Sequence, residues 1–313
     1  MVFKKIRRGH VDWRNFLCST PARDYVFQKE EYVSQLDRAA EYIRKADSII
    51  VGAGAGASTA AGIQYGGKRF TDNFGEFIEK YGVHYMTDMY AAGFYPYPSE
   101  EAKWGYWSKH ALMNRFDPPA LPLYTKLYDI VKSKEYFVLT TNVDHQFYKA
   151  GFDEKRIFAT QGDYGKIQCQ KACHKKTYDA KDLFRKMDEA RKGCLIPSEL
   201  VPKCPVCGGN MAMNLRCDNY FVEDEAWHEA ADRYAGFLEQ NKDKKVVLLE
   251  LGVGFNTPII IRFPFEKMVR ENSSYSLIRL NMDEAVVPES FGERAIGIGG
   301  DMAKVITDIR GLV

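Results

Sequence analysis

The chain has 313 residues, enough for roughly two domains at about 150 residues each, or for one large α/β domain carrying insertions. Its 45% hydrophobic and 27% charged residues exclude a disordered or fibrous chain. The 44 Lys and Arg against 42 Asp and Glu leave a net charge of +2, so no overall field exists to hold a nucleic-acid backbone or an anionic membrane.

Near the start, the basic residues Lys4, Lys5, Arg7 and Arg8 are followed by Asp12, Arg14 and Asn15 rather than by an apolar stretch. They read as a solvated arm or, alternatively, a weak organelle-targeting arm, not as an export signal. No apolar run reaches the roughly 18 residues of a membrane span. From Lys29 to Lys45, the apolar Tyr32, Val33, Leu36, Ala39, Ala40 and Ile43 recur at helical steps, predicting a helix with one buried face. Ser48 to Val51 is a continuous apolar run bounded by glycine, which predicts a buried parallel strand.

After that strand comes Gly52-Ala53-Gly54-Ala55-Gly56-Ala57-Ser58, and then Gly62-Ile63. Small residues after a buried strand allow a tight turn and close approach to a pyrophosphate, with the N–H groups of a following helix meeting the charge. The acidic residue of a dehydrogenase, about twenty positions on at the end of a second strand, is missing, because Asp72 lies in no strand-like run. Gln64 to Phe70 reads as a flexible, aromatic-tipped loop that closes over a ligand. Within it, Arg69 is either a clamp on phosphate or ribose oxygens or a surface arginine. The gap from about 64 to 134 carries nine aromatics between Tyr81 and Trp107, which either line a groove or pack a helical subdomain against the sheet.

Tyr136 to Leu139 predicts a second strand, ending in Thr140-Thr141-Asn142-Val143-Asp144-His145. Strand ends of a parallel sheet share one rim, so Asn142 and Asp144 fall beside the glycine turn. His145 is either a general base or a packed histidine. Thr160-Gln161-Gly162-Asp163 opens a second long gap, in which Lys175 to Arg191 predicts a solvated helix. Cys169-x3-Cys173 and Cys204-x2-Cys207, followed by Gly208-Gly209, can surround one tetrahedral zinc. Four thiolates leave no open position, so this zinc is structural. Cys194, Cys217 and His174 are the alternative ligands. Six of the seven cysteines lie between 169 and 217, which points to metal binding in a reducing, cytoplasmic compartment. Val246 to Leu249 and Ser276 to Leu280 predict further strands, tipped by Gly252, Gly254 and Asn281, and Ala295 to Ile298 a weaker fifth. The pattern is α/β: a Rossmann-like parallel sheet with helices on both faces, plus a small zinc-binding and helical insertion domain. It divides into a dinucleotide-binding domain (1–63, 125–165 and 240–313), a loop and helical insertion (64–124) and a zinc-ribbon-like module (166–239).

In this order, the motifs resemble the sirtuin family over about 45–310. Gly54-Ala55-Gly56-Ala57-Ser58 with Gly62-Ile63 is similar to its first NAD motif, Thr140 to Asp144 to its nicotinamide-ribose motif, and the four cysteines to its zinc module. Gly252-Val253-Gly254 stands in place of its Gly-Thr-Ser segment, and Asn281 in place of its adenosine-ribose asparagine. The resemblance implies NAD as a consumed co-substrate. Its contacts are Gly54, Ala55, Gly56, Ser58, Gly62, Ile63, Arg69, Thr141, Asn142, Asp144, Gly252, Val253, Gly254, Asn281 and Asp301, with Asn142, Asp144 and Gln161 at the reacting ribose. Two departures bear on the reaction. Gln64 to Phe70 replaces the family's Pro-Asp-Phe-Arg, and Gln161 stands where the family has its catalytic histidine. A glutamine takes up no proton near pH 7. This pattern resembles the macrodomain-linked sirtuins, which implies ADP-ribosyl transfer to a lipoylated glycine-cleavage-H-like carrier protein, opposed by a macrodomain hydrolase. An NAD-dependent deacylase and an NAD-binding regulatory protein with little turnover are the competing expectations.

Overall fold

Strands that are apolar at every position need cover on both faces, and the computed structural model, which describes residues 24–255 and 258–313, provides it. The basic arm, Cys18, Asn256 and Thr257 lie outside the described residues. In chain order the strands are β1 (Tyr25–Val26), β2 (Ser48–Ala53), β3 (Glu135–Thr140), β4 (Ile157–Ala159), β5 (Gly162–Cys169), β6 (Thr177–Asp179), β7 (Met211–Leu215), β8 (Val246–Leu251), β9 (Tyr275–Asn281), β10 (Val287–Pro288) and β11 (Ala295–Gly299). Six of them form one sheet, ordered β11-β9-β8-β2-β3-β4, with every pairing parallel. The chain moves from β2 toward β4 on one side, then returns to β8 and proceeds to β11 on the other. That reversal places a crevice over the C-terminal ends of β2 and β8, where doubly wound sheets bind dinucleotides.

Alternate residues of the strands face opposite layers. Val51, Val138 and Leu249 pack against the helices Tyr32–Lys45, Pro122–Val131 and Met302–Arg310. Ile50, Phe137 and Leu248 pack against Glu225–Asn241 and Arg262–Glu271. The five expected strands are all present, and β4 is additional; three residues are too few for its pattern to stand out. The first helix starts at Tyr32 and buries Leu36, Ala39, Ala40 and Ile43. Val33, assigned above to the buried face, is exposed, and Gln35 is buried in its place. Gln35 lies close to the core direction and bonds through Nε2 to the carbonyl of Gly297 at 3.0 Å.

Insertion and cysteine module share one core, in which Phe70, Phe74, Phe77, Trp104 and Tyr106 join Tyr164, Ile167, Phe184, Met187 and Met213. Two expectations are corrected here. The stretch read as a flexible loop already begins a helix at Gly67, and Phe70 is buried against Phe74 with ring centroids 5.5 Å apart. The stretch from Lys175 to Arg191 contains β6 and then the helix Lys181–Ala190, which buries Phe184 and Met187 rather than standing in solvent. The aromatics of 81–107 divide, with Trp104, Tyr106 and Trp107 buried and Tyr85, Tyr90 and Phe94 exposed. The helix Glu100–Ala111 runs into a π turn, Leu112–Phe116, closed by the Asp117 N–H on the Leu112 carbonyl at 2.8 Å. Among the described residues, no helix is long and apolar enough to cross a membrane.

Candidate active site at the strand tips

The glycine turn is first of all a packing device. Gly54 N–H donates to the Leu251 carbonyl and Gly56 N–H to that of Gly252, each at 3.0 Å. A Cβ on Gly56 would fall 2.7 Å from the Gly252 Cα, and one on Gly252, whose φ is +60°, would fall 2.5 Å from the Gly56 Cα. The turns after β2 and β8 therefore touch backbone to backbone, as only paired glycines permit. Ala57 N–H caps back onto Gly54 at 3.0 Å. Ala55, exposed at the start of the helix Ala55–Ala60, has a backbone N–H with no acceptor among the described residues, which suits it to an anionic group. Gly62, at φ +103°, reverses the chain so that Ile63 N–H reaches the Ser58 carbonyl at 2.9 Å.

Ser58, expected among the phosphate contacts, is buried and donates its hydroxyl to Asp144 Oδ2. The other carboxylate oxygen accepts the Gln146 N–H at 3.0 Å. Burial pushes the Asp144 carboxyl above its usual range, and these two hydrogen bonds offset only part of the rise. Tyr124, fully buried on the helix Pro122–Val131, brings its hydroxyl to 3.3 Å from Ser58 Oγ and accepts from Asn142 Nδ2 at 3.5 Å. Thr141 is tied to β2 by its N–H on the Ala53 carbonyl at 3.0 Å. Ser58, Tyr124, Asn142 and Asp144 thus form one polar cluster at the tips of β2 and β3.

Gln161 occupies the turn between β4 and β5, half-buried, with its backbone carbonyl accepting the Arg216 N–H at 3.1 Å. Its side chain makes no hydrogen bond among the described residues, so the amide remains available to a ligand. Two residues on, Asp163 accepts from Arg115 Nε at 2.9 Å and bonds His145 Nδ1 at 2.8 Å. Desolvation pushes the Asp163 carboxyl up, but His145 and Arg115 prevail and hold it below the ordinary range. His145 itself has a left-handed backbone, φ +64°, and stacks on Tyr148 with centroids 4.1 Å apart.

Arg69 is half-buried and meets no carboxylate among the described residues. Its Nη1 bonds the Gln64 carbonyl at 2.9 Å and Asn114 Oδ1 at 2.8 Å, and its Nη2 the Met113 carbonyl at 3.3 Å. Desolvation lowers its pKa, as for a cation without a counter-ion. Across the crevice, Asn281 Nδ2 donates to the Val253 carbonyl at 3.2 Å, and its Oδ1 accepts from Asp283 and Glu284 N–H at 3.2 and 3.1 Å. Asp301 caps the helix Met302–Arg310 by accepting from Ala303 and Lys304 N–H.

The sulfurs of Cys169, Cys173, Cys204 and Cys207 all lie within 4.8 Å of one another. Cys169 to Cys207 is 3.7 Å and Cys173 to Cys204 is 3.6 Å. A tetrahedron with metal–sulfur bonds of about 2.3 Å has edges of about 3.8 Å, so the four thiolates fit zinc. Cys194 instead donates to the Glu76 carbonyl at 3.3 Å. His174 Nδ1 is 3.1 Å from Cys173 Sγ, with Nε2 turned to the Tyr178 hydroxyl at 2.8 Å.

Solved structures share this architecture. A Sir2 homologue in complex with NAD is similar at a TM-score of 0.56 and 15% identity, over 94% of this chain and 100% of that one. A structure described for the mechanism and regulation of Sir2 enzymes gives 0.53 at 17% identity, over 90% and 99%. At such identities the likeness shows the sirtuin fold. No family model matches the chain. A protein ADP-ribosyltransferase of Staphylococcus aureus is 38% identical over 279 residues, which is 89% of this chain and 88% of that protein. The chain belongs to the sirtuin-fold protein ADP-ribosyltransferases. A probable bifunctional ADP-ribose hydrolase/ADP-ribosyltransferase of Fusarium oxysporum f. sp. cubense is 32% identical over 289 residues, 87% of this chain but 47% of that longer protein.

As a sirtuin-fold ADP-ribosyltransferase, the protein is an NAD-utilising enzyme, and four residues around its strand tips escape inspection of the sequence. Tyr124 carries no local sequence signal, since its partners Ser58 and Asn142 lie 66 and 18 positions away. Gln146, fully buried, holds the Leu121 N–H and the Pro119 carbonyl at 2.9 and 3.2 Å. Arg115 and Asp163 meet across 48 positions. A charged residue directly after the Gln161-Gly162 turn is the one local signal that marks Asp163.

Proposed function

We propose that the protein transfers ADP-ribose from NAD to a protein acceptor, a lipoylated glycine-cleavage-H-like carrier, and that it works with a macrodomain ADP-ribosyl hydrolase as a macrodomain-linked sirtuin of the cytoplasm. The observation that carries this reading is the Gln161 amide, without a side-chain partner among the described residues, in the turn after β4, where the Thr160 N–H bonds the Thr140 carbonyl at 2.9 Å just ahead of Asn142 and Asp144. An amide there orients a ribose hydroxyl without removing its proton. Asn142 and the buried Asp144 hold the reacting ribose, while the first turn of Ala55–Ala60 and Arg69 meet the diphosphate. The bond from C1′ to nicotinamide breaks, and its electron pair leaves with neutral nicotinamide. In its ionised form the Asp144 carboxylate favours the oxocarbenium-like centre that remains. A nucleophile of the acceptor then bonds C1′ and gives up its proton to solvent. Cys169, Cys173, Cys204 and Cys207 would hold one zinc, which fixes the module without reaching the ribose. The Fusarium protein, named for hydrolase and transferase together, supports the partnership with a hydrolase.

One observation keeps deacylation as a second reading: His145 bonded to Asp163 resembles an oriented imidazole base. Incubation with labelled NAD, lipoylated and unlipoylated carrier proteins and an acyl-lysine peptide separates the two by product mass. A carrier gaining one ADP-ribose, dependent on lipoylation, is expected. O-acyl-ADP-ribose as the main product overturns transfer in favour of deacylation.

A further inference from the structure

Beneath the tips of β8 and β9 lies a network of charges that no step above uses. Glu250, Arg262, Glu266 and Arg279 are all fully buried. Arg279 satisfies both carboxylates: its Nε and Nη2 reach Glu250 at 2.7 and 2.9 Å, and Nη2 also reaches Glu266 at 2.9 Å. The second oxygen of Glu266 accepts from the Tyr25 hydroxyl at 2.6 Å. Arg262 is bonded differently. It comes no nearer than 4.0 Å to either carboxylate. Its Nη1 donates to the Val253 carbonyl at 2.9 Å, and its Nη2 to the carbonyls of Glu284 and Val286 at 3.0 and 3.3 Å. The guanidinium carbon lies 3.9 Å from the centroid of the Phe255 ring.

Such a cation is costly to bury, since three neutral carbonyls replace its water and the neighbouring anions are already committed. Burial and the adjacent Arg279 accordingly push its pKa down. What the arrangement does is tie two turns together. Val253 follows the Gly252 that interlocks with Gly56, and Glu284 and Val286 belong to the turn after Asn281. The Val253 carbonyl also accepts from Asn281 at 3.2 Å, so both turns meet on a single oxygen. In a doubly wound sheet, a dinucleotide with its reacting half over β3 extends its other nucleotide over β8 and β9. Arg262 cannot touch a ligand, because it has no exposed surface.

We propose that Arg262 is a positioning residue that sets the spacing of the Gly252–Phe255 and Asn281–Val286 turns and so governs the grip on the non-reacting nucleotide, without influence on bond breaking. This rests on the reading of those two turns as NAD contacts. Arg262→Met keeps the volume and leaves both carboxylates paired with Arg279. The expected result is a rise of about 10-fold or more in KM for NAD, with kcat for nicotinamide release within about 3-fold of the parent. Arg262→Lys should recover part of the loss. Titration calorimetry with ADP-ribose reads the same change without turnover. Should Arg262→Met fail to fold, Phe255→Leu removes only the stacked ring, and a smaller rise in KM is expected from it. Asn281→Ala separates the two levels of the argument. If it weakens ADP-ribose while folded Arg262 variants and Phe255→Leu bind as the parent does, the positioning role is wrong. If Asn281→Ala also binds normally, the reading of these turns as NAD contacts is wrong. A fall in kcat at unchanged KM in the Arg262 variants would likewise overturn the proposal.

Discussion

On the β3 and β4 side of the crevice, the groups proposed for the chemistry stand at the strand tips: Asn142 and Asp144, steadied by Tyr124 and Ser58, and Gln161 in the turn after β4. On the β8 and β9 side, the tips offer glycine backbone, Asn281 and Glu284, whose carboxylate accepts the Phe255 N–H at 3.0 Å, and a network of charges lies underneath, with Arg262 and Arg279 wholly enclosed. On the proposed reading one sheet edge divides labour: side chains at the rim meet the developing charge of the reaction, and the charges below the rim fix the shape that binds.

The largest effect expected from breaking this division comes from the metal. Gln161 directly precedes β5, the strand that ends at Cys169, so the cysteine module is joined directly to the side proposed to react. Structural zinc in a four-thiolate site is worth on the order of 10 kcal/mol of local folding energy. Metal analysis should give about one zinc per chain, and Cys204→Ala should lose it together with transfer, while ADP-ribose still binds at β8 and β9. Zinc retained in Cys204→Ala, and lost instead on mutation of Cys194 or Cys217, would reject the ligand set.

Gly252→Ala attacks the seam between the two sides. The new methyl would meet the Gly56 backbone at 2.5 Å in a left-handed conformation, and about 3 kcal/mol or more of stability should disappear in denaturant unfolding. Normal stability would mean that the turns can separate.

Asn142→Ala should test the reacting side by itself. It is expected to fold, to keep its affinity for ADP-ribose within several-fold and to lose about 10²-fold in kcat, roughly 2.7 kcal/mol. A KM effect alone would move Asn142 into the gripping half.

Asp144 offers a subtler reading, through pH. Its folded pKa is raised above the unfolded value, so the folded state holds its proton more tightly, and the stabilisation this brings is lost as pH rises from the ordinary carboxylate range through the folded pKa. Melting temperatures of Asp144→Asn and parent, compared from about pH 4 to 7, should therefore shift in favour of the variant as pH rises. Parallel curves would show that the carboxyl is not strained by burial.

The smallest effect expected is a gain. Gln161→His should keep NAD binding and acquire weak acyl-lysine cleavage, visible only in a sensitive mass assay; the absence of any new product would separate this position from the choice of reaction.

The central strands were legible because uninterrupted apolar runs bounded by glycine have few other uses, and the zinc ligands because their spacing is local. Asn142 and Asp144 followed from one inference, that strand ends share a rim. Other features depend on partners distant in sequence. That Gly54 and Gly56 spend their N–H groups on Leu251 and Gly252 cannot be read from the glycines, which look the same whether they face a phosphate or another backbone. Arg279 did leave a trace, as a charge inside an otherwise apolar strand. Such a residue demands a buried partner, and Glu250, equally out of place at the end of β8, is that partner. Ser58 illustrates the converse: its place beside the glycines suggested a phosphate contact, and the carboxylate it meets is 86 positions away.

The π turn at Leu112–Phe116 places two of its consecutive residues in different service, Asn114 on Arg69 and Arg115 on Asp163. A π turn contains one residue more than an α turn, so a single deletion there would let the helix close regularly and leave one position where Asn114 and Arg115 now stand side by side. Substitution of Asn114 or Arg115 frees one partner, but a change in length frees both at once. Related chains should therefore vary in composition between 112 and 116 far more readily than in residue count, and an alignment gap there should mark the loss of both anchors.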